Sequence, residues 1–153
     1  MQTVCQEIVK ELKQSNKTIA FMESCTGGFL ANEITNISGA SDVLKVSAVT
    51  YSNEYKIKFG VNKNIIDTYT VYSEETAQEM AKKISEFANS DIGVGITGEL
   101  GNTINNKPKV YYTIYLAKDK KYINKTIETT AKQRNEKKKE VAKKVFTDIL
   151  EAI

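Results

Sequence analysis

The chain has 153 residues, of which 41% are hydrophobic, so it is long enough for one well-filled core and too short for two ordinary domains. We therefore predict a single domain over residues 1–153. The formal net charge of +3 is spread over many lysines and glutamates. The densest basic run, residues 137–139, has Glu136 and Glu140 beside it, which favours a solvated helix face over a nucleic-acid-binding patch.

The sequence contains no histidine and two cysteines, Cys5 and Cys25. A zinc-type ligand cluster and a Ser-His or Cys-His catalytic pair are therefore excluded, and any acid-base chemistry must use carboxylates, lysine or tyrosine. The first residues are polar and acidic where a signal peptide would need an apolar stretch, and no apolar run reaches membrane-spanning length. We expect a cytoplasmic, reduced protein that binds no membrane.

The first half of the chain alternates helical and strand patterns. Apolar residues at helical spacing from Val4 to Leu12 predict a first helix, and "TIAFMES" predicts a first strand. The next segment, "TGGFLANEITN", predicts a second helix with Thr26 as its N-cap. A second strand in "VLKVSAVTYS", a helical piece around "NEYKIKFG", a connector and the helix "SEETAQEMAKKISEFAN" follow.

The second half begins with a short buried strand, "DIGVGITG", that ends at Gly98. A hairpin then pairs "KVYYTIYLA" with "KYINKTIETT", and residues 134–152 form a closing amphipathic helix. Together these elements predict a three-layer α/β/α sandwich on a mixed sheet of about five strands. In such folds ligands bind at the carboxyl ends of the strands, so residues 23–28, 51–53 and 97–98 should converge there.

The turn after the first strand, "ESCTGG", offers two glycines and backbone N–H groups at a helix start, which suits a phosphate or carboxylate. Such glycines more often serve close packing of a helix on a strand, so the stretch alone favours packing. Cys25 has no basic histidine beside it, and burial as a small apolar residue is its favoured role.

A histidine-free nucleophile system is available in "ISGASDVLKVSAVTYSNEYK". A serine such as Ser41 can be activated by a neutral lysine such as Lys56, with the Tyr51 hydroxyl relaying the proton. The alternative is that Ser41 caps a turn, Tyr51 ends a strand and Lys56 is a surface lysine, and spacing alone favours that alternative.

Five segments in this order, "ESCTGG", "GAS", "TYSNEYK", "YSEETAQEMA" and "GITG", resemble the CinA C-terminal-domain family, which contains nicotinamide-mononucleotide amidohydrolases. The resemblance is close over residues 17–101 and weaker beyond. It implies an enzyme that hydrolyses the carboxamide of nicotinamide mononucleotide to the carboxylate, with release of ammonia. It also implies no metal or organic cofactor, and a homo-oligomer with a dimer favoured. The larger family members carry a further N-terminal domain, so we expect a stand-alone version.

The resemblance assigns roles to individual residues. It implies Ser41 as nucleophile, Lys56 as base and Tyr51 as proton relay. The substrate-binding residues that it implies are Ser24, Thr26, Gly27, Gly28, Asn53, Thr97 and Arg134, the last for the phosphate. Because a carboxylate would repel that phosphate, we expect Glu23 to face away from it, near Lys56 or the nicotinamide amide.

The chain departs from the family pattern in loops that are expected to cover the substrate. Glu99, Leu100, Gly101 and Asn102 replace a glycine-rich run, and Lys132-Gln133-Arg134 replaces a Gly-Asp-Arg element. Two alternatives to the amidohydrolase therefore stay open: a family member that binds a pyridine nucleotide without turning it over, and an interaction module with a vestigial pocket.

Overall fold

A computed structural model describes residues 1–101 and 108–153. Its sheet is built from five strands, which are β1 (Ile19–Glu23), β2 (Leu44–Val49), β3 (Ile92–Gly98), β4 (Lys109–Leu116) and β5 (Lys121–Glu128). Six helices surround the sheet, namely α1 (Gln2–Gln14), α2 (Phe29–Thr35), α3 (Asn53–Lys58), α4 (Lys63–Tyr69), α5 (Glu74–Ala88) and α6 (Arg134–Ala152). A short 3₁₀ turn, Ala40–Asp42, precedes β2.

The strand order is β2-β1-β3-β4-β5. The three strands β2, β1 and β3 run parallel, whereas β4 and β5 form the antiparallel hairpin that the sequence predicts. The predicted mixed sheet of about five strands is therefore confirmed. Because β1 lies between two parallel neighbours, its carboxyl end is flanked by the carboxyl ends of β2 and β3, and this edge of the sheet is open to a ligand.

Helices cover both faces of the sheet. Phe21 of β1 packs in a core with α1, α2 and α6, while its neighbour Met22 packs in a second core with α5. Alternate residues of a strand point to opposite faces, so β1 reads as a continuous buried run, "IAFME", with no exposed position. This is the predicted α/β/α sandwich.

Close packing of α5 explains two glycines of β3. A Cβ on Gly93 would lie 2.0 Å from the Ala81 carbonyl oxygen, and one on Gly95 would lie 2.4 Å from the Ala77 carbonyl oxygen. The helix backbone thus rests directly on the strand, which only glycine permits.

Two local features differ from the sequence prediction. The second helix begins at Phe29 with Gly28 at its N-cap, so Thr26 is not the cap. The predicted connector contains helix α4, which begins after Asn62, whose side chain accepts a hydrogen bond from the Asn64 N–H. Within the described residues, no helix combines the length and apolar character that crossing a membrane requires.

Candidate active site

A cavity of about 330 Å³ opens at the carboxyl ends of β1 and β3, within the size range of small-molecule sites. It is bordered by the residue that follows β1, by the start of α3, by the end of β3 and by the first residue of α6. Its lining residues are Ser24, Cys25, Tyr51, Asn53, Lys56, Val71, Tyr72, Thr97, Gly98, Glu99, Leu100 and Arg134.

Ser24 and Lys56 meet at the base of this cavity. Ser24 directly follows β1, and its N–H donates to the carbonyl of Ile96 on β3, which fixes its backbone. The Lys56 Nζ lies 3.0 Å from the Ser24 Oγ and donates to the Thr50 carbonyl oxygen at 2.8 Å. Both side chains are almost wholly removed from solvent, Ser24 at 8% exposure and Lys56 at 1%. A serine hydroxyl in hydrogen-bond reach of a buried lysine is an arrangement that can supply a nucleophile and a base without histidine.

Burial lowers the pKa of Lys56, because removing an ammonium group from water disfavours its charged form; the nearby Cys25 acts in the opposite direction and does not cancel this shift. The amine is therefore driven toward the neutral state, in which its lone pair can accept the Ser24 proton. Burial acts on the neighbouring thiol in the opposite sense and raises the pKa of Cys25 to about 12. Cys25 is a thiol at neutral pH, in agreement with its predicted role as a small buried residue.

The structure corrects the pairing of Ser41 with Lys56. Ser41 is exposed in the turn that precedes β2, whereas Lys56 follows β2 on α3. The six residues of β2 separate the two ends, and at about 3.3 Å per residue this places them on the order of 20 Å apart. Ser41 lines a different depression, beside Gly39 and Leu44, at the opposite edge of the sheet.

Glu23 occupies the helix N-terminus that was predicted to hold an anion. Its fully buried carboxylate accepts hydrogen bonds from the N–H groups of Gly28, Leu30 and Ala31 at 3.0 to 3.1 Å. It also accepts from the hydroxyls of Thr26 at 2.7 Å and Ser47 at 3.3 Å. The start of α2 is thus already neutralised by the protein's own anion.

Three predicted substrate-binding residues therefore fall outside the cavity. Thr26, Gly27 and Gly28 form the turn around Glu23, and none of the three contributes to the cavity lining. The positive φ angles of Gly27 and Gly28, 61° and 91°, let the chain curl so that successive N–H groups face the carboxylate. Glu23 was expected to face away from this helix start, near Lys56 or the nicotinamide amide, and the structure corrects this because its carboxylate binds the start of α2.

The other predicted residues do line the cavity. The Arg134 guanidinium donates to the Tyr51 hydroxyl at 3.2 Å, whereas the hydrogen bonds of Lys56 within the described residues go to Ser24 and Thr50. Thr97 donates its hydroxyl to the Val71 carbonyl at 2.7 Å and ties the end of β3 to the segment before α5. Asn53 begins α3 at the cavity rim.

The loop that follows β3, which was expected to cover the substrate, borders the cavity. Glu99 and Leu100 line the cavity, and the Nζ of Lys137 on α6 donates to the carbonyls of Leu100 at 3.2 Å and Gly101 at 3.3 Å. Lys137 is buried, at 3% exposure, although its charge run predicted a solvated helix face. No pattern in "KQRNEKKKE" distinguishes this lysine from its neighbours. Asn102 lies outside the described residues.

The position of Ser24 beside Lys56, by contrast, could have been inferred from the sequence. It follows the first strand directly, whereas Ser41 precedes the second. In a parallel pair, residues that follow one strand and residues that precede the other lie at opposite edges of the sheet. Lys56 also follows its strand, so topology alone favours Ser24 as its partner.

Comparisons with known proteins identify the family of this chain. A family model described as the CinA C-terminal domain matches residues 1–153. A competence-damage inducible protein of Thermoanaerobacter pseudethanolicus is 43% identical over 125 residues, covering 78% of this chain and 30% of that protein. A CinA-like protein of Petrotoga mobilis is 42% identical over 105 residues, covering 68% of this chain and 26% of that protein.

Solved structures show the same fold. The crystal structure of the competence/damage inducible protein CihA from Agrobacterium tumefaciens matches with a TM-score of 0.90 at 23% identity, covering 97% of this chain and 93% of that one. A CinA superfamily protein from Escherichia coli matches with a TM-score of 0.90 at 20% identity, covering 99% and 90%.

The α/β/α sandwich is thus the fold of CinA superfamily proteins. The chain belongs to the CinA C-terminal domain family, among proteins of the competence-damage inducible kind. It spans about three tenths of the length of the first curated relatives that it matches.

Proposed function

We propose that this chain is an amidohydrolase that converts nicotinamide mononucleotide to nicotinate mononucleotide and ammonia, with Ser24 as nucleophile and Lys56 as base. The observation that carries the proposal is the 3.0 Å approach of the Lys56 Nζ to the Ser24 Oγ at the base of a ligand-sized cavity. A buried lysine is costly, so one in contact with a cavity serine favours a catalytic role. The substrate itself rests on the family resemblance.

The arrangement can perform a two-step hydrolysis. A neutral Lys56 donates one N–H to the Thr50 carbonyl, which leaves its lone pair free to take the proton of Ser24. The Ser24 Oγ then attacks the carboxamide carbon and the carbonyl oxygen becomes an oxyanion. Collapse of this intermediate breaks the C–N bond, and the proton held by Lys56 passes to the departing ammonia.

The second step consumes water. The ester formed on Ser24 is attacked by a water molecule that gives its proton to Lys56, and the carboxylate leaves as Ser24 recovers its hydroxyl proton. One amide and one water thus yield one carboxylate and one ammonium ion. Cys25 lines the cavity directly after Ser24, so we assign its backbone N–H to the oxyanion, in the position that follows a nucleophile in many acyl-transfer sites.

Arg134 is the residue we assign to the substrate phosphate. Its guanidinium is always charged, lies exposed in the cavity lining and is oriented by the Tyr51 hydroxyl. Since Glu23 neutralises the start of α2, this arginine replaces the helix N-terminus as the proposed phosphate contact. Tyr51 then acts by holding Arg134 and not by relaying a proton.

The proposal is tested by mixing purified protein with nicotinamide mononucleotide and measuring ammonia together with nicotinate mononucleotide. Lys56→Met should lower kcat/KM by about 10²- to 10⁴-fold, the usual contribution of a general base. Lys58→Met is the matched control, because Lys58 lies on the same helix but is exposed and paired with Glu54, and it should keep full activity.

Two results would contradict the proposal. Unchanged activity in Lys56→Met would remove the lysine from the mechanism. Tight nucleotide binding by the wild-type chain without any ammonia would instead select the alternative of a non-catalytic pyridine-nucleotide binder, which the altered loop around Glu99 favours.

A further inference from the structure

Two side chains of opposite charge lie in the exposed part of the cavity. Glu99 follows β3, Arg134 begins α6, and both side chains are exposed while lining the same cavity as the buried Ser24 and Lys56. The reacting pair therefore lies deep and the charged pair lies toward solvent. With Lys56 driven toward its neutral form, Glu99 and Arg134 are the charged side chains among the described lining residues.

The backbone around Glu99 is held on both sides. Its N–H donates to the Lys109 carbonyl at 2.9 Å, which continues the pairing of β3 with β4. The next two carbonyls, of Leu100 and Gly101, accept from the buried Lys137. The backbone of Glu99 thus lies between two anchored points, which limits the entropy lost from the main chain when a ligand binds its carboxylate.

Both charges are available to a ligand. The hydrogen-bond partner of Arg134 is the uncharged Tyr51 hydroxyl. Within residues 1–101 and 108–153, neither Glu99 nor Arg134 takes part in an ion pair. The Glu99 carboxylate lies near Gly101, where a Cβ would meet its Oε1 at 3.3 Å. A cavity with one unpaired anion and one unpaired cation is complementary to a ligand that carries both charges.

We propose that Glu99 is a specificity-determining residue that binds the positive charge of a cationic aromatic ring bearing the reactive amide, while Arg134 binds an anionic group of the same molecule. This rests on the proposed function and narrows its substrate class to zwitterionic amides. A carboxylate attracts a quaternary ring and gains nothing from an uncharged one, so discrimination should depend on ring charge rather than ring shape.

Paired ligands separate charge from shape. Nicotinamide mononucleotide has a cationic ring, and its reduced form has an uncharged ring with the same carboxamide, ribose and phosphate. Binding of both is measured by calorimetry in Ser24→Ala, which prevents turnover. We expect the cationic form to bind about three- to tenfold more tightly, the range of a partly exposed charge contact. Adding Glu99→Gln should remove this preference, whereas Glu136→Gln, an exposed carboxylate outside the cavity lining, should preserve it.

The inference would be overturned by equal affinities for the two forms, or by no binding of either at millimolar concentration. It would also be overturned by a preference that survives Glu99→Gln. Ammonia release by the wild-type chain is measured in parallel. Turnover without a Glu99-dependent preference refutes the role of Glu99 and leaves the amidohydrolase standing. A Glu99-dependent preference without turnover supports the role of Glu99 and refutes the hydrolase.

Discussion

Lys56 is a lysine with 1% of its surface exposed, and its amine contacts a hydroxyl and a backbone carbonyl. Among the described residues no carboxylate pairs with it. An uncompensated buried ammonium is unfavourable, so the environment that makes this lysine costly to bury also makes it a base. Burial of Lys56 therefore favours the proposed catalytic role and at the same time lowers the stability of the fold.

The pH dependence of catalysis follows from that burial. A base must be neutral to accept a proton, and burial lowers the pKa of Lys56 from its ordinary value of 10.5. Activity should accordingly rise with pH as Lys56 loses its proton, and reach its plateau below pH 10.5. The measurement is kcat/KM for nicotinamide mononucleotide from about pH 5 to about pH 10. Activity that falls through the neutral range would contradict a lysine base.

The resemblance to known sequences assigned roles to half of the residues that line the cavity. These are Ser24, Tyr51, Asn53, Lys56, Thr97 and Arg134. Ser41 was wrongly paired with Lys56 because matching "GAS" says nothing about which end of β2 that serine occupies. Glu99 was placed in a substrate-covering loop without a role of its own. The anchoring of that loop by Lys137 escaped prediction because it depends on how the end of β3 meets α6, a tertiary contact without a local pattern.

At the scale of elements, Glu23 joins β1 to α2. A glutamate at the end of a buried strand reaches the first N–H groups of the helix that follows, and so satisfies donors that an uncapped helix would leave unpaired. This junction also fixes the direction in which the chain leaves β1 and hence the position of Ser24.

Replacing Glu23 with glutamine tests this junction. The amide keeps one acceptor oxygen but turns an NH₂ group toward backbone donors, so several hydrogen bonds are lost inside a buried site. We expect Glu23→Gln to destabilise the chain by about 2 to 4 kcal/mol and to lower Tm by roughly 5 to 10 °C. Thermal unfolding is the measurement, and Glu54→Gln, at an exposed carboxylate, should change Tm by less than about 2 °C. A Tm for Glu23→Gln like that of the control would show that the buried carboxylate does not stabilise α2.

Strong periodicity in the sequence made the helices and strands predictable. Their boundaries were predicted less accurately where the periodicity is weak. The sequence predicted all five strands and the helices α1, α5 and α6. Their apolar patterns are long, or belong to strands that are buried on both faces. The N-cap of α2 shifted by two residues, from Thr26 to Gly28, because the glycines serve the Glu23 turn. Helix α4 was missed because its seven residues expose most of their surface and bury chiefly Ile66.

At the scale of the whole molecule, the parallel order β2-β1-β3 decides which residues can meet. Ser24 and Lys56 are 32 positions apart in the chain, yet both follow neighbouring parallel strands and so come together at one edge. The β4–β5 hairpin and α6 close that edge by bringing Lys109 to Glu99 and Arg134 to Tyr51. The homo-oligomer that the resemblance implies stays a prediction, which light scattering at high concentration would test.

The central claim is that Ser24 forms the covalent intermediate. The most direct measurement mixes the protein with nicotinamide mononucleotide, quenches in acid within one turnover, and locates the acyl group by mass spectrometry. Trypsin leaves Ser24 and Ser41 on one peptide, residues 18–45, so cleavage after Glu23 and Glu33 is used to separate them. The account predicts the acyl adduct on Ser24, and its absence from Ser24→Ala. An adduct on Ser41, or turnover that persists in Ser24→Ala, would contradict it.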